Sequence, residues 1–416
     1  MSASTGGIQV AHRIMTEIEQ LDRGTRRRQV AREIQRRMVA HVAAGGTTDL
    51  APRPMENAPA AYTDPGRAET ERRELFLRRP LVVGLTSEIA KPGDCLLFEE
   101  LGQSIIVVRG RDGVARAFLN MCTHRATKLV QPHGPTCSSS VTRFTCPFHA
   151  WTFDLEGRLV AVPGRHGFDG IDLTERGLVP VPVAEWNGVI FLRPTAGTDA
   201  IDVAEHLGIF APELELLDFK DATPVRTSTL TAATNWKCAI DTYGEGYHFA
   251  TLHASTIGVS HFSNVAVFDA FATHWRLNFP EKSLRALVDR PEGEWPEPDY
   301  GGIHFLFPNT ILVVGSLETG TRWVRMFRIF PGSTPGSMSC TTTVYVLGGV
   351  ASDAMSDAFA TDDSTSDVTQ EDYRVAVDGY ANLVTAPPGF KVVYGRNEPA
   401  LQAFHRSVAA AIGIRM

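Results

Sequence analysis

Two short pairs of cysteine and histidine constrain this chain more than any other feature: Cys122-Thr-His124 and, downstream, Cys146-Pro-Phe-His149. Two separate turns must bring two thiols and two imidazoles together, and each pair mixes both ligand types. A sulfide-bridged pair of irons accepts such a set, with the cysteines on one iron and the histidines on the other. The neutral imidazoles raise its reduction potential to roughly −150 to +300 mV. A tetrahedral zinc site is the alternative, since two cysteines and two histidines also satisfy zinc. Zinc fingers usually group like ligands, so the mixed pairs favour the iron–sulfur reading. Pro147 stiffens the second turn, where backbone N–H groups can reach the cluster sulfurs. His133 and Cys137, between the pairs, read as surface-loop residues.

At 416 residues the chain is long enough for two or three domains. Its 43% hydrophobic and 21% charged residues are an ordinary balance for a packed interior. A net charge of −7 offers nucleic acid no general attraction. No apolar run is long enough to span a bilayer. The start, MSASTGGIQVAHRIM, lacks the basic-then-apolar order of a secretion signal. Six scattered cysteines suit a reducing compartment better than a disulfide scaffold. The expectation is a cytoplasmic protein with neither a membrane nor a nucleic-acid partner.

Along the chain, three regions separate. Residues 8–44 read as one or two helices, from apolar steps through Ile8, Ile14, Ile18 and Leu21, then Val30, Ile34, Met38 and Val42. Arg26, Arg27, Arg28, Arg32, Arg36 and Arg37 read as a solvated basic face, with docking of an acidic partner as the sharper alternative. Residues 45–65 read as a linker or extended arm, and Glu69–Phe76 as a short helix. Residues 1–79 thus form a helical extension and arm. Residues 80–195 carry short β-branched runs divided by Pro92-Gly93-Asp94 and Arg111-Asp112-Gly113 turns, and read as an all-β domain holding both Cys/His pairs. Residues 196–416 read as an α+β domain. Its strands are expected near 226–233, 274–279, 304–307, 310–314, 322–330 and 340–347, with helices at 203–217, 370–380 and 399–412.

A second metal site is readable in that last region. Asp241–Ala254 is expected as a helix, on which Glu245 and His248 share a face. His253 stands five beyond His248, so the helix must loosen or end for both imidazoles to reach one ion. Two histidines and one carboxylate bind non-haem Fe(II) and leave positions free for O2 and substrate. The carboxylate must come from a distant segment. Asp372 opens a helical pattern that Val375 and Val377 would anchor, and Asp367 and Asp378 compete with it. Alone, two histidines five apart read as incidental; an electron-entry cluster on the same chain reverses that balance.

Together with Tyr62-Thr-Asp-Pro65, Glu185-Trp186-Asn187-Gly188, Asn235-Trp236-Lys237 and His304-Phe-Leu-Phe-Pro308-Asn309, these motifs resemble the α (large, catalytic) subunit of Rieske non-haem iron oxygenases. The resemblance to this ring-hydroxylating family covers most of residues 60–410. It implies an α+β fold: an all-β Rieske [2Fe–2S] domain, then a catalytic domain with an antiparallel sheet flanked by helices in the helix-grip (START-like) manner. It implies that Cys122, His124, Cys146 and His149 hold the [2Fe–2S] cluster, and that His248, His253 and Asp372 hold the mononuclear Fe(II). Glu245 would carry electrons between subunits by joining a cluster histidine to an iron histidine of the neighbour.

The same resemblance implies a homotrimer, with a small β subunit in some assemblies, and O2 as co-substrate. Electrons would come from NAD(P)H through a ferredoxin or flavin reductase. The expected reaction is dihydroxylation, or monooxygenation including demethylation, of a small apolar or aromatic substrate; the alternative is an electron-transfer protein without a working iron site. Phe249, Leu252, Ile257, Phe262, Val267, Phe271, Phe305 and Phe307 are the expected pocket wall. The chain departs from the family at Thr242, where Asn is common, at Ala126 and Ala150, where Gly is common, and at Glu245, where many members have Asp.

Overall fold

Turn-punctuated apolar runs become antiparallel strands throughout this protein. The computed structural model describes residues 20–131, 140–317, 319–349 and 363–415. The first expected helix up to Ile18, and the loop residues His133 and Cys137, lie outside the described residues. Two compact units emerge. One is built from 73–206 and 219–224. The other takes the described residues up to Arg72, then 207–218 and 225–415.

In the first unit, Cys95–Phe98, Ile105–Arg109, Ala115–Leu119 and Pro180–Val181 form a four-stranded sheet in that spatial order. Phe144–Thr145, Thr152–Phe153 and Leu159–Ala161 form a second sheet. Leu81–Leu85 pairs with Val189–Leu192, which pairs in turn with Val183–Trp186. That last hairpin turns through Asn187 and Gly188 at φ +47° and +84°. Two consecutive positive φ values match the right-handed twist of the flanking strands, and Asn-Gly tolerates them best. Glu185 is forked by Arg109, with both guanidinium N–H···O distances at 2.6 Å. Ile106, Val108, Phe118, Phe144 and Phe153 pack into one apolar cluster that includes Cys122 and Cys146.

The second unit centres on a seven-stranded antiparallel sheet. Its spatial order is Thr223–Ala232, Met338–Leu347, Arg322–Pro331, Thr310–Ser316, Gly302–Leu306, His274–Asn278 and Val267–Phe271. The edge strand Thr223–Ala232 presents threonines, and Thr227 and Thr229 pair with Thr343 and Thr341 of its neighbour. The helix Trp236–Asp241 packs on Arg322–Pro331, and Asp363–Val384 packs on that helix. The C-terminal helix Pro399–Ala411 sets Phe404 edge-on to Phe305 and Trp236, with ring centroids at 5.4 and 5.7 Å. No helix among the described residues is long and apolar enough to cross a membrane.

Three expectations need correction. Part of the arm at 45–65 is ordered: Met55–Asn57 pairs antiparallel with Val392–Tyr394, and Ala60–Thr63 and Pro65–Glu71 are helical. The partner strand is more than three hundred residues away, so no local pattern announces it. Asp241–Ala254 is not one helix. Trp236–Asp241 ends and a series of turns runs to Thr256. Gly244 and Gly246 lie there because a Cβ would stand 2.3 Å from Leu401 and 2.8 Å from the Phe279 ring, and glycine is a poor helix former.

The arginines, finally, are not a free basic face: Arg28 and Arg36 are exposed, but most are paired with carboxylates and Arg37 reaches a buried one. Asp22 caps the helix Arg23–Ala43, accepting from the Thr25 N–H at 3.0 Å. Along it Arg23 meets Asp218 at 2.6 Å, Arg36 meets Glu292 at 2.6 Å and Arg37 meets Asp269 at 2.7 Å.

Asp269 is fully buried and also accepts from Arg276 at 2.6 Å, while Arg276 pairs with the equally buried Glu213. Burial pushes the Glu213 carboxyl up, but Arg276, His304 and Tyr300 outweigh it and hold it at about 2, against an ordinary 4.5. A depressed carboxyl stabilises the fold above its unfolded value and loses that contribution as pH falls through its folded one. Unfolding stability should therefore decline between pH 4.5 and 2. Glu213→Gln should cost about 3 kcal/mol at neutral pH and flatten this acid limb, since each unit is worth about 1.4 kcal/mol. Urea titrations across that pH range check it; an unchanged acid limb in the variant would refute it.

Candidate metal centres

The two Cys/His loops are built alike. In the first, the Cys122 N–H donates to the Thr127 carbonyl (2.9 Å) and the Ala126 N–H to the Cys122 carbonyl (2.9 Å). In the second, the Cys146 N–H donates to the Trp151 carbonyl (2.8 Å) and the Ala150 N–H to the Cys146 carbonyl (3.0 Å). Each loop closes on an alanine in the left-handed region, Ala126 at φ +61° and Ala150 at φ +56°. That conformation costs an L-residue roughly 1–2 kcal/mol, which is the physical reason glycine is common at both places.

The loops bring the two cysteines into the apolar cluster and the two histidine rings against each other, His124 beside Trp151 of that cluster. Cys122 and Cys146 are buried and free. The imidazoles of His124 and His149 lie 4.7 Å apart between centroids. His124 stacks on Trp151 at 4.7 Å and 9°, which fixes its plane. The Nδ1 atoms of both histidines are buried without a partner among the described residues. Burial, then contact with the Cys146 thiol, pushes the Cys122 thiol up.

In the other unit, the turns after Asp241 swing His248 and His253 towards Asp372, which projects from the helix Asp363–Val384. One ligand atom from each lies within 4.8 Å of the others. His253 Nε2 is 3.0 Å from Asp372 Oδ1, and His248 Nε2 is 3.6 Å from it. The opposite nitrogens are anchored: His248 Nδ1 bonds Glu245, and His253 Nδ1 bonds Glu371 Oε2 at 2.7 Å. Burial raises the Asp372 carboxyl, and the two imidazoles only partly offset it. Burial pulls the His253 imidazole down, but Asp372 and Glu371 outweigh it and its direction is up. The three groups line a cavity of about 550 Å³.

Comparison with known proteins decides the family. A model of the Rieske [2Fe-2S] domain matches residues 79–180, and one of the ring hydroxylating alpha subunit (catalytic domain) matches 219–414. The chain belongs to the Rieske oxygenase α subunits.

This α subunit is 37% identical over 196 residues to the carnitine monooxygenase oxygenase subunit of Escherichia coli (strain K12), covering 46% of this chain and 50% of that one. It is 32% identical over 187 residues to the glycine betaine monooxygenase oxygenase subunit of Pseudomonas aeruginosa (strain UCBPP-PA14), 45% and 42% respectively. The chain spans about half the length of the curated relatives it matches. Its fold resembles the quaternary ammonium Rieske monooxygenase CntA with L-carnitine, at TM-score 0.70 and 21% identity over 86% of this chain and 95% of that one. It also resembles naphthalene 1,2-dioxygenase from Rhodococcus sp. with indole, at TM-score 0.69 and 18% identity over 92% and 98%.

The residues present fit the family's two metal groups. Buried thiols and orphaned imidazoles suit a [2Fe–2S] cluster, and two carboxylate-backed imidazoles with a buried aspartate suit mononuclear iron. The Asp367 side chain lies outside the described ones; among the described side chains, Asp372 is the carboxylate that stands with the two histidines. Its helix is seated by Tyr373 and Ala376, whereas Val375 is exposed. Of the expected pocket wall, Phe249 and Ile257 line the cavity, while Phe271, Phe305 and Phe307 are buried core. Sequence reasoning missed Glu371. Its place beside Asp372 in an acidic stretch resembles a helix start, and only the fold shows that it reaches His253. Carboxylates that orient metal-bound imidazoles typically account for 10–100-fold in metal affinity. Glu371→Ala should weaken iron binding by about that factor with the cluster's visible spectrum intact; titration of the iron-free protein with Fe(II) measures it, and wild-type affinity would refute the role.

Proposed function

We propose that this α subunit is a terminal oxygenase that uses O2 and externally supplied electrons to oxidise a compact organic substrate. In this reading Cys122, His124, Cys146 and His149 hold the cluster, and His248, His253 and Asp372 hold the iron. The observation that carries it is the convergence of two carboxylate-anchored imidazoles and Asp372 on one cavity. When bound, the cluster supplies single electrons and the iron supplies the reduction of O2. The chain's own residues supply the rest. Glu245 and Glu371 hold the ring planes, and Tyr243, Phe249, Phe279, Trp323 and Phe327 exclude water and seat the substrate.

Glu245 is also the proposed electron bridge. Its carboxylate orients His248, and both residues line a second cavity, of about 750 Å³, with Asp241 and Glu398. A neighbouring subunit's cluster histidine could reach the carboxylate there, as a closed ring of subunits requires. A homotrimer, a small β subunit and a ferredoxin or flavin reductase drawing on NAD(P)H complete the proposed system. Glu245→Gln should retain both metals and slow reoxidation of the reduced cluster; stopped-flow absorbance reads this, and coupled reoxidation at the wild-type rate would count against the bridge.

The ring-lined cavity suits an aromatic substrate. A second reading, a methylated ammonium compound, is supported by Glu281 and Asp299 in the same wall, by the attraction of aromatic faces for cations, and by the likeness to carnitine and glycine betaine monooxygenase subunits. Products formed under ¹⁸O2 from a panel of aromatic acids, hydrocarbons and methylated amines test both. One labelled atom or an aldehyde by-product marks monooxygenation or demethylation, and two in one product mark dihydroxylation. His248→Ala should abolish incorporation while the cluster spectrum persists. Absence of label in every product would remove the oxygenase reading.

A further inference from the structure

We propose that Gln35, on the N-terminal helix, is a specificity-determining residue of the iron cavity and donates its amide N–H2 group to an oxygen acceptor on the substrate. This rests on the reading of that cavity as the substrate site. Ala31, Ile34, Gln35 and Met38 all line the cavity that reaches His248, His253 and Asp372. Their spacing of i, i+3, i+4 and i+7 is one face of a helix. The helix Arg23–Ala43 therefore turns its inner stripe to the cavity, and Gln35 is the polar residue on it.

Gln35 is only 4% exposed, and a polar group so placed is costly unless it is hydrogen-bonded. Half of it is accounted for: Arg32 Nη1 donates to Gln35 Oε1 at 2.7 Å. A guanidinium has donors only, so this contact fixes which end of the amide is oxygen. The Nε2 group is left with two donors and no protein acceptor among the described residues. The helix carrying it is tied to the buried Asp269 through Arg37 (2.7 Å), and Arg32 holds the amide oxygen, so the amide is positioned before anything binds. A fixed, unspent N–H2 group in a cavity whose wall also presents aromatic rings, Asn278, Arg325 and the carboxylates Glu281 and Asp299 recognises a carboxylate, carbonyl or hydroxyl oxygen. It discriminates against the same apolar body without that oxygen, because the donors are then left unpaired.

Matched probes test this by anaerobic calorimetric titration of the full chain loaded with cluster and iron: benzoate against toluene, and glycine betaine against tetramethylammonium. The wild-type protein should prefer the oxygen-bearing member of at least one pair by about tenfold. Gln35→Met, similar in length but without the amide, should erase that preference and leave binding of the bare member within about twofold. Gln35→Glu can still pair with Arg32, which keeps the test open if the methionine variant fails to fold. It should also erase the preference, and weaken the carboxylate probe further through like charge. In turnover, KM for the oxygen-bearing substrate should rise with kcat little changed. Survival of the preference in both variants, or no preference in the wild-type protein, would overturn the proposal. A protein that shows the preference yet incorporates no labelled oxygen would refute the oxygenase reading and leave the role of Gln35 standing.

Discussion

Two imidazoles five residues apart can meet at one ion only if the backbone between them is not a helix. Five residues of regular helix turn through about 500°, which leaves the side chains roughly 140° apart. The turns between Asp241 and Thr256 remove that obstacle, and every other feature of the site compensates for the order a helix would have supplied. Asn235 caps the preceding short helix through the Lys237 N–H (3.0 Å) and reaches the carbonyls of Tyr62 (2.8 Å) and Pro335 (2.9 Å). Lys237 is buried against Glu71, and Tyr62 donates to Asp241 at 2.6 Å. The family motifs around Tyr62 and Asn235 hold the ends of an irregular segment; they touch neither metal.

The acidic residues at the site divide their work by environment. Asp372 is buried, and among the described residues the two imidazoles only partly offset that burial, so its carboxyl is raised. Glu245 and Glu371 face the far nitrogens of those imidazoles. A ring whose Nδ1–H is committed to a carboxylate presents Nε2 as the lone-pair donor, so the two outer acids favour the tautomer that the proposed iron site requires. The cluster loops use different means to the same end. There Trp151 fixes the plane of His124 by stacking, and the paired backbone bonds of each loop fix the cysteines.

What was legible in the sequence was what local chemistry encodes. The Cys/His pairs, the turn-bounded strands and the His248–His253 pair are short-range patterns; the Cys/His pairs lie in loops beside strands as expected, whereas the two histidines lie on turns rather than on the expected helix. Asp372 needed the resemblance to a known family to be preferred over Asp367 and Asp378. Pairing of Met55–Asn57 with Val392–Tyr394, and of Glu371 with His253, joins residues distant in sequence, so neither leaves a periodic trace. The end of the helix at Asp241 was misread because Gly244 and Gly246 answer to Leu401 and Phe279 rather than to helix propensity. The arginine-rich helix was misread for a related reason: its acidic partners Asp218, Asp269 and Glu292 are scattered over the chain.

The Arg37–Asp269 pair also attaches by charge a helix whose inner stripe is mostly apolar. Apolar contacts tolerate sliding, since one aliphatic residue replaces another at little cost. A buried ion pair does not, because a displaced partner leaves an uncompensated charge in a dry interior. Asp269 binds Arg37 of the helix and Arg276 of the sheet at once. Displacing the helix by one residue would turn its inner stripe by about 100°, carrying Gln35 and Met38 off the cavity and breaking the Arg36 and Arg37 contacts together. The charged network thus converts a general hydrophobic attraction into a single register, and that register determines which side chains the substrate meets.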